Sequence, residues 1–93
     1  MASGAGIDQL PPDVRKVAEK STFLIARAAR RIAKIARSNR GSAYHDAEAS
    51  FREIAVADGL TELMLERYIR YIRKVLRDAV EKIDRERGPP GVA

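Results

Sequence analysis

Ninety-three residues without a cysteine make one small domain and exclude disulfides and thiolate metal sites. Eighteen basic residues against thirteen acidic ones leave a net charge of +5, which favours polyanionic partners. No apolar run approaches a membrane span, and MASGAGID lacks the basic segment and apolar core of a signal peptide, so a cytoplasmic protein with no membrane contact is expected.

Residues 1–9 and 88–93 (GPPGVA) read as flexible tails, rich in Gly, Pro and small residues. Between them, residues 10–87 read as a single helical domain of three helices and no strand. The first helix is expected from Pro12 to Ser38, with Pro12 suited to the first turn and Asp13 to the positive end of the dipole. Asn39-Arg40-Gly41 ends it. Ser42 is placed to cap a second helix over residues 43–57, which Asp58-Gly59 breaks. The third helix is expected from Thr61 to about Arg87.

Spacing supports these assignments. At about 100° per residue, Val14, Val17, Leu24, Ile25, Ala28 and Ile32 share a side of the first helix, and Ala43, Tyr44, Ala47, Phe51, Ile54 and Ala55 a side of the second. Tyr68, Ile69, Ile72, Leu76, Val80 and Ile83 do the same on the third. Three inward-facing stripes predict an all-α three-helix bundle. The outer helices read as about twice as long as the middle one, so their far ends need cover, and a homodimer is expected.

The bases are segregated. Lys20 to Arg40 holds seven basic residues and no acid: Lys20, Arg27, Arg30, Arg31, Lys34, Arg37 and Arg40. The first six fall within about a third of the first helix's circumference, with Phe23 among them. A phosphate-tracking stripe with Phe23 stacking on a base is one reading. A solvated face with Phe23 packed under a tail or on a second subunit is the other. Arg67 to Arg77 holds five more bases and no acid. Glu66–Arg70, Lys74–Asp78, Arg77–Glu81 and Asp78–Lys82 stand at i,i+4, where ion pairs would support the helix. Arginine makes up thirteen of the eighteen bases and suits bidentate contact to phosphate and guanine, though an arginine-preferring genome or a heat-adapted proteome gives the same bias.

Residues 51–70 contain the parts of a tight helical corner. Ala55 is small where two helices touch, Gly59 is free to take positive φ, Thr61 can cap the next helix, and Leu60, Leu65 and Tyr68 plug the angle. This stretch resembles the helix-turn-helix of DNA-binding proteins, without a wing. Asp58 departs from the pattern, since such proteins usually carry an apolar residue just before the glycine. The resemblance implies that the third helix enters the major groove of duplex DNA, presenting Thr61, Glu62, Leu63, Glu66, Arg67 and Arg70. Arg67 and Arg70 would meet phosphate or guanine. Arg27, Arg30, Arg31, Lys34 and Arg37 of the first helix would add backbone contacts.

Catalytic chemistry is missing from the sequence. The single histidine, His45, is spaced i,i+3 from Glu48 but has no second ligand pair elsewhere. No glycine-rich phosphate loop occurs, and Ser and Thr lack a base to activate them. No cofactor, metal or small-molecule substrate is expected. The sequence reads as a DNA-binding transcription regulator or chromatin-associated factor. The alternative is a helical adaptor, or a subunit of a larger protein or RNA–protein assembly.

Overall fold

A computed structural model of the chain describes residues 9–87, which form three α-helices and no strand. They are α1 (Pro12–Ala33), α2 (Gly41–Ala57) and α3 (Glu62–Arg87), with one 3-10 turn, Arg37–Asn39, between the first two. The all-α three-helix bundle read from the hydrophobic spacing is therefore the observed fold. The expected tails fall outside the described residues apart from Gln9.

Pro12 takes the first turn of α1, where its missing N–H costs nothing, and the amide of Arg15 opens the ladder on the Pro11 carbonyl at 2.8 Å. The helix then stops at Ala33, short of the expected Ser38. The amides of Lys34 and Ile35 tighten onto the carbonyls of Arg31 and Ile32 at 3.2 and 2.9 Å, and Ala36 turns extended (φ −56°, ψ 140°). Side chains from later in the chain take up the freed carbonyls, so the early stop is stabilised from outside the segment. α2 starts at Gly41, with Arg40 at the N-cap and no side-chain cap, which moves Ser42 from the expected cap into the first turn.

The α2–α3 corner closes through backbone alone. Gly59 has φ +88°, its amide bonds the Val56 carbonyl at 3.0 Å, and the Leu60 amide reaches back to Ala55 at 3.1 Å. This pair of bonds is a Schellman motif, with Leu60 packed on the core as its hydrophobic contact. Thr61 caps α3 with its carbonyl, which accepts the Leu65 amide at 2.7 Å.

Cross-helix pairs fix the topology. Ser21–Tyr68 and Ala33–Arg87 step in the same direction, so α1 and α3 run parallel. Arg40–Asp84 and Glu48–Arg73 step in opposite directions, so α2 runs back along α3. α1 packs chiefly on α3 and touches α2 least. The core is built from Val14, Ile25 and Ile32 of α1, Phe51 and Ala55 of α2, and Tyr68, Ile72, Leu76 and Val80 of α3. Among the described residues, its one buried polar side chain apart from the Tyr68 phenol is Ser21, whose hydroxyl donates to the Val17 carbonyl at 2.7 Å. That uses the only hydroxyl proton of Ser21, so Tyr68 donates to Ser21 Oγ across 2.7 Å, and both groups are satisfied.

The helices hold 22, 17 and 26 residues, so the outer two are not twice the middle one. Leu76 and Val80 in the far half of α3 are buried within the chain.

Candidate nucleic-acid interface

The corner gives α3 its orientation. Tyr68, Ile69 and Ile72 turn inward and are buried, which rotates Leu63, Glu66, Arg67 and Arg70 to the outside. Leu63 is 64% exposed, and Thr61 and Glu62 are exposed beside it. Among the described residues no carboxylate stands within 4 Å of Arg67 or Arg70. Of the four i,i+4 pairs expected on α3, only Lys74–Asp78 closes within that limit, at 3.9 Å.

The other bases of this stretch serve the fold. Arg73 forks onto Glu48 of α2, with Nε and Nη2 each donating to a different carboxylate oxygen at 2.8 Å. The bond from Arg73 holds the Glu48 carboxyl below its ordinary value, against a smaller opposing effect of burial. Arg77 lies over the ring of Tyr44 at 5.3 Å. Burial pushes the Tyr44 phenol up, partly offset by Arg77 and Arg40. So the five bases of 67–77 divide by position: the first two face outward, and the last three are held against α2 or along α3.

The bases of residues 20–40 divide in a similar way. Lys20 donates to Asp58 at 2.9 Å, which gives the polar residue before Gly59 a role in tying the corner to α1. Arg37 lies 3.5 Å from Asp84. Arg40 is fully engaged: Nε donates to the Ile35 carbonyl at 2.9 Å, Nη2 to the Ala33 carbonyl at 3.1 Å, and Nη1 and Nη2 to the two Asp84 oxygens at 2.8 and 3.0 Å. Arg87 adds a second bond to the Ala33 carbonyl at 2.8 Å. The hydrogen bond from Arg40 holds Asp84 below the usual carboxylate range and raises Arg40 in turn. The absence of acids between residues 20 and 40 is therefore made good in part, because α3 and the α2–α3 corner supply carboxylates to Lys20, Arg37 and Arg40. Arg27, Arg30, Arg31 and Lys34 remain exposed, with no carboxylate within 4 Å among the described residues. Phe23 is 65% exposed, with the Arg27 guanidinium 5.9 Å from its ring centre.

The two outward sets occupy separate surfaces. Counting about 100° per residue from Ser21, which faces α3, places Arg27, Arg30 and Lys34 some 120° or more around α1. Counting the same way from Tyr68, which faces α1, places Arg67 and Arg70 roughly 100° and 160° around α3. The fold brings Thr61, Leu63, Arg67 and Arg70 together on one helix face, and Arg27, Arg30, Arg31 and Lys34 on another.

Sequence reasoning missed Arg40 and Asp84 as a pair, because the partners lie 44 residues apart and no local spacing links them. His45 is exposed, while the nearby Glu48 is committed to Arg73. Among the described residues no cluster of His, Asp or Glu has the arrangement of a metal site, and no helix is long and apolar enough to cross a membrane. Comparison with protein-family models, with curated proteins and with solved structures finds no match to this chain.

Proposed function

We propose that this chain is a helix-turn-helix DNA-binding protein, acting as a transcription regulator or a chromatin-associated factor and not as an enzyme. The exposed face of α3, with Thr61, Leu63, Arg67 and Arg70, is read as the groove-facing surface. The observation that carries this reading is the outward placement of Arg67 and Arg70, with no carboxylate within 4 Å among the described residues, in the opening turns of a helix that starts from a glycine-terminated corner. The bases of α1 and its C-cap (Arg27, Arg30, Arg31 and Lys34), with the partly engaged Arg37 of the 3-10 turn, are assigned to phosphates beyond the groove contact, since the first four lie on a different side of the bundle. Glu62 and Glu66 work against phosphate on the same face, so the net pull of α3 on a duplex is modest.

Titrating duplex DNA against salt tests the proposal. Replacing Arg67 and Arg70 together by Ala is expected to weaken duplex binding by roughly 10–100-fold and to lower the salt slope by about 2. Unchanged affinity and slope would remove the groove-reading role of α3. Tighter binding of RNA than of duplex DNA would favour a subunit of an RNA–protein assembly instead. The proposal includes a homodimer, which must draw its seam from exposed apolar residues such as Phe23 and Val56. A monomeric mass by sedimentation, with and without DNA, would remove it.

A further inference from the structure

α1 and α2 do not close on each other. Where α1 meets α3 the filling side chains are large, Tyr68, Ile72 and Leu76 among them. Where α1 faces α2 they are short: Ala28 on one side, Ala43 and Ala47 on the other. The result is an open cleft of about 790 Å³, larger than two other surface pockets at about 520 and 220 Å³. Phe51 and Ile32 form its floor, and Leu24 and Ile35 mark its ends on α1. From Leu24 to Ile35 the cleft runs about 16 Å, or three helical turns. Its two rims differ in charge. The α1 rim carries Arg27, Arg31 and Lys34, free of carboxylates among the described residues, and the α2 rim carries Ser42, Asp46 and Ser50.

We propose that this α1–α2 cleft docks an amphipathic helix of another protein, one with an apolar stripe flanked on one edge by acidic side chains. An apolar floor of three turns matches anchors at i, i+3, i+4 and i+7, and the unpaired basic rim selects the acidic edge. A second copy of this chain fits poorly. Two such clefts are both concave and cannot fill each other, and facing them would crowd the basic rims. A lone exposed residue such as Val56 or Leu63 entering the cleft of another copy would offer one apolar side chain to a floor three turns long and leave its basic rim without a partner. The inference is independent of the DNA reading, although the acidic edge and phosphates would compete for Arg27, Arg31 and Lys34.

The probe is a labelled, helix-stapled peptide of about 18 residues with leucines on one stripe and glutamates along one edge. Its control carries lysines at the glutamate positions. Fluorescence anisotropy with the full chain is expected to show the glutamate-edged peptide binding at least about tenfold tighter than the control. Arg27→Glu, Arg31→Glu and Lys34→Glu, all on the exposed rim, are expected to reverse that preference when combined. Ala47→Phe, which fills the cleft without altering a charge, is expected to abolish peptide binding while leaving duplex DNA affinity and the helical circular dichroism unchanged. Loss of DNA binding in wild-type protein therefore leaves the cleft standing, and loss of peptide binding leaves the DNA reading standing. Equal affinity for the two peptides, or a preference that survives charge reversal, would overturn the proposal. So would self-association that Ala47→Phe abolishes, which assigns the cleft to a second copy.

Discussion

The C-termini of α1 and α2 solve the same problem with different materials. Both helices leave carbonyls without an intrahelical donor. At the end of α2, amides of the next residues meet them: Gly59 and Leu60 fold back on Val56 and Ala55, and the one special requirement is a positive φ at Gly59. At the end of α1, the guanidinium groups of Arg40 and Arg87 meet the carbonyls of Ala33 and Ile35, and Arg40 is itself gripped by Asp84. The backbone-built corner is closed by local bonds that set the direction of the next helix, and an exposed pair, Lys20–Asp58, ties it to α1. The corner built from side chains joins the end of α1, the start of α2 and the far end of α3, so it also specifies how the three helices assemble.

That difference predicts unequal damage. Arg40→Ala removes four hydrogen bonds, bares the Ile35 carbonyl, leaves the Ala33 carbonyl to Arg87 alone, and leaves Asp84, whose side chain is 12% exposed, with the long contact to Arg37 as its one ion pair among the described residues. A loss of about 3 kcal/mol in unfolding free energy is expected by urea titration. Arg40→Lys should recover little of it, because one ammonium cannot reach two carbonyls and both carboxylate oxygens at once. A full rescue by lysine would mean that the corner depends on charge alone.

Gly59→Ala is expected to cost less, about 1–2 kcal/mol. A methyl group there would meet nothing within 4 Å, so the penalty is confined to holding an L-residue at φ +88°. Gly59→Asn should recover part of the loss, since asparagine tolerates this conformation better. If Gly59→Ala proves as damaging as Arg40→Ala, the backbone-built corner carries tertiary load as well, and the contrast between the two ends fails.

The same contrast explains which features could be read in advance. Gly59, Ala55 and Leu60 lie within six positions of one another, and their roles follow from rules that act over that distance. The stripes of α3 are likewise local, and its bounds differ from the expected ones by a single residue at the start. The end of α1 was misplaced because nothing between Ala33 and Ser38 breaks a helix; the break is enforced by Arg40 and Arg87. The ion pairs of residues 20–40 are not legible for the same reason. A run of bases without an intrahelical acid says nothing about Asp58 or Asp84, which the fold brings in from elsewhere. On α3, Arg67 and Arg70 were legible as outward residues because their neighbours Tyr68 and Ile72 are strongly apolar and must turn in. That Arg73 is spent on Glu48 was not legible, since it depends on how α2 lies along α3.

Acid separates the two corners with the smallest perturbation. Asp84 has a folded pKa below its ordinary value of 3.8, chiefly through the hydrogen bond from Arg40. A carboxyl depressed in the folded state stabilises the protein above its unfolded pKa, and that stabilisation is lost as the pH falls through the folded value. The α1 corner should therefore weaken below about pH 4, while the backbone hydrogen bonds that close the Gly59 corner, between amides and carbonyls, do not titrate. Glu48, also depressed by its bond to Arg73, weakens the α2–α3 contact in the same direction. Comparing wild type with Asp84→Asn isolates the first effect. The variant should be less stable at pH 7, the gap should narrow as the pH drops from 5 to about 2, and Gly59→Ala should keep a constant offset throughout. A gap between wild type and Asp84→Asn that holds at low pH would show that the Arg40 clamp rests on its two carbonyl bonds, with the carboxylate as a bystander.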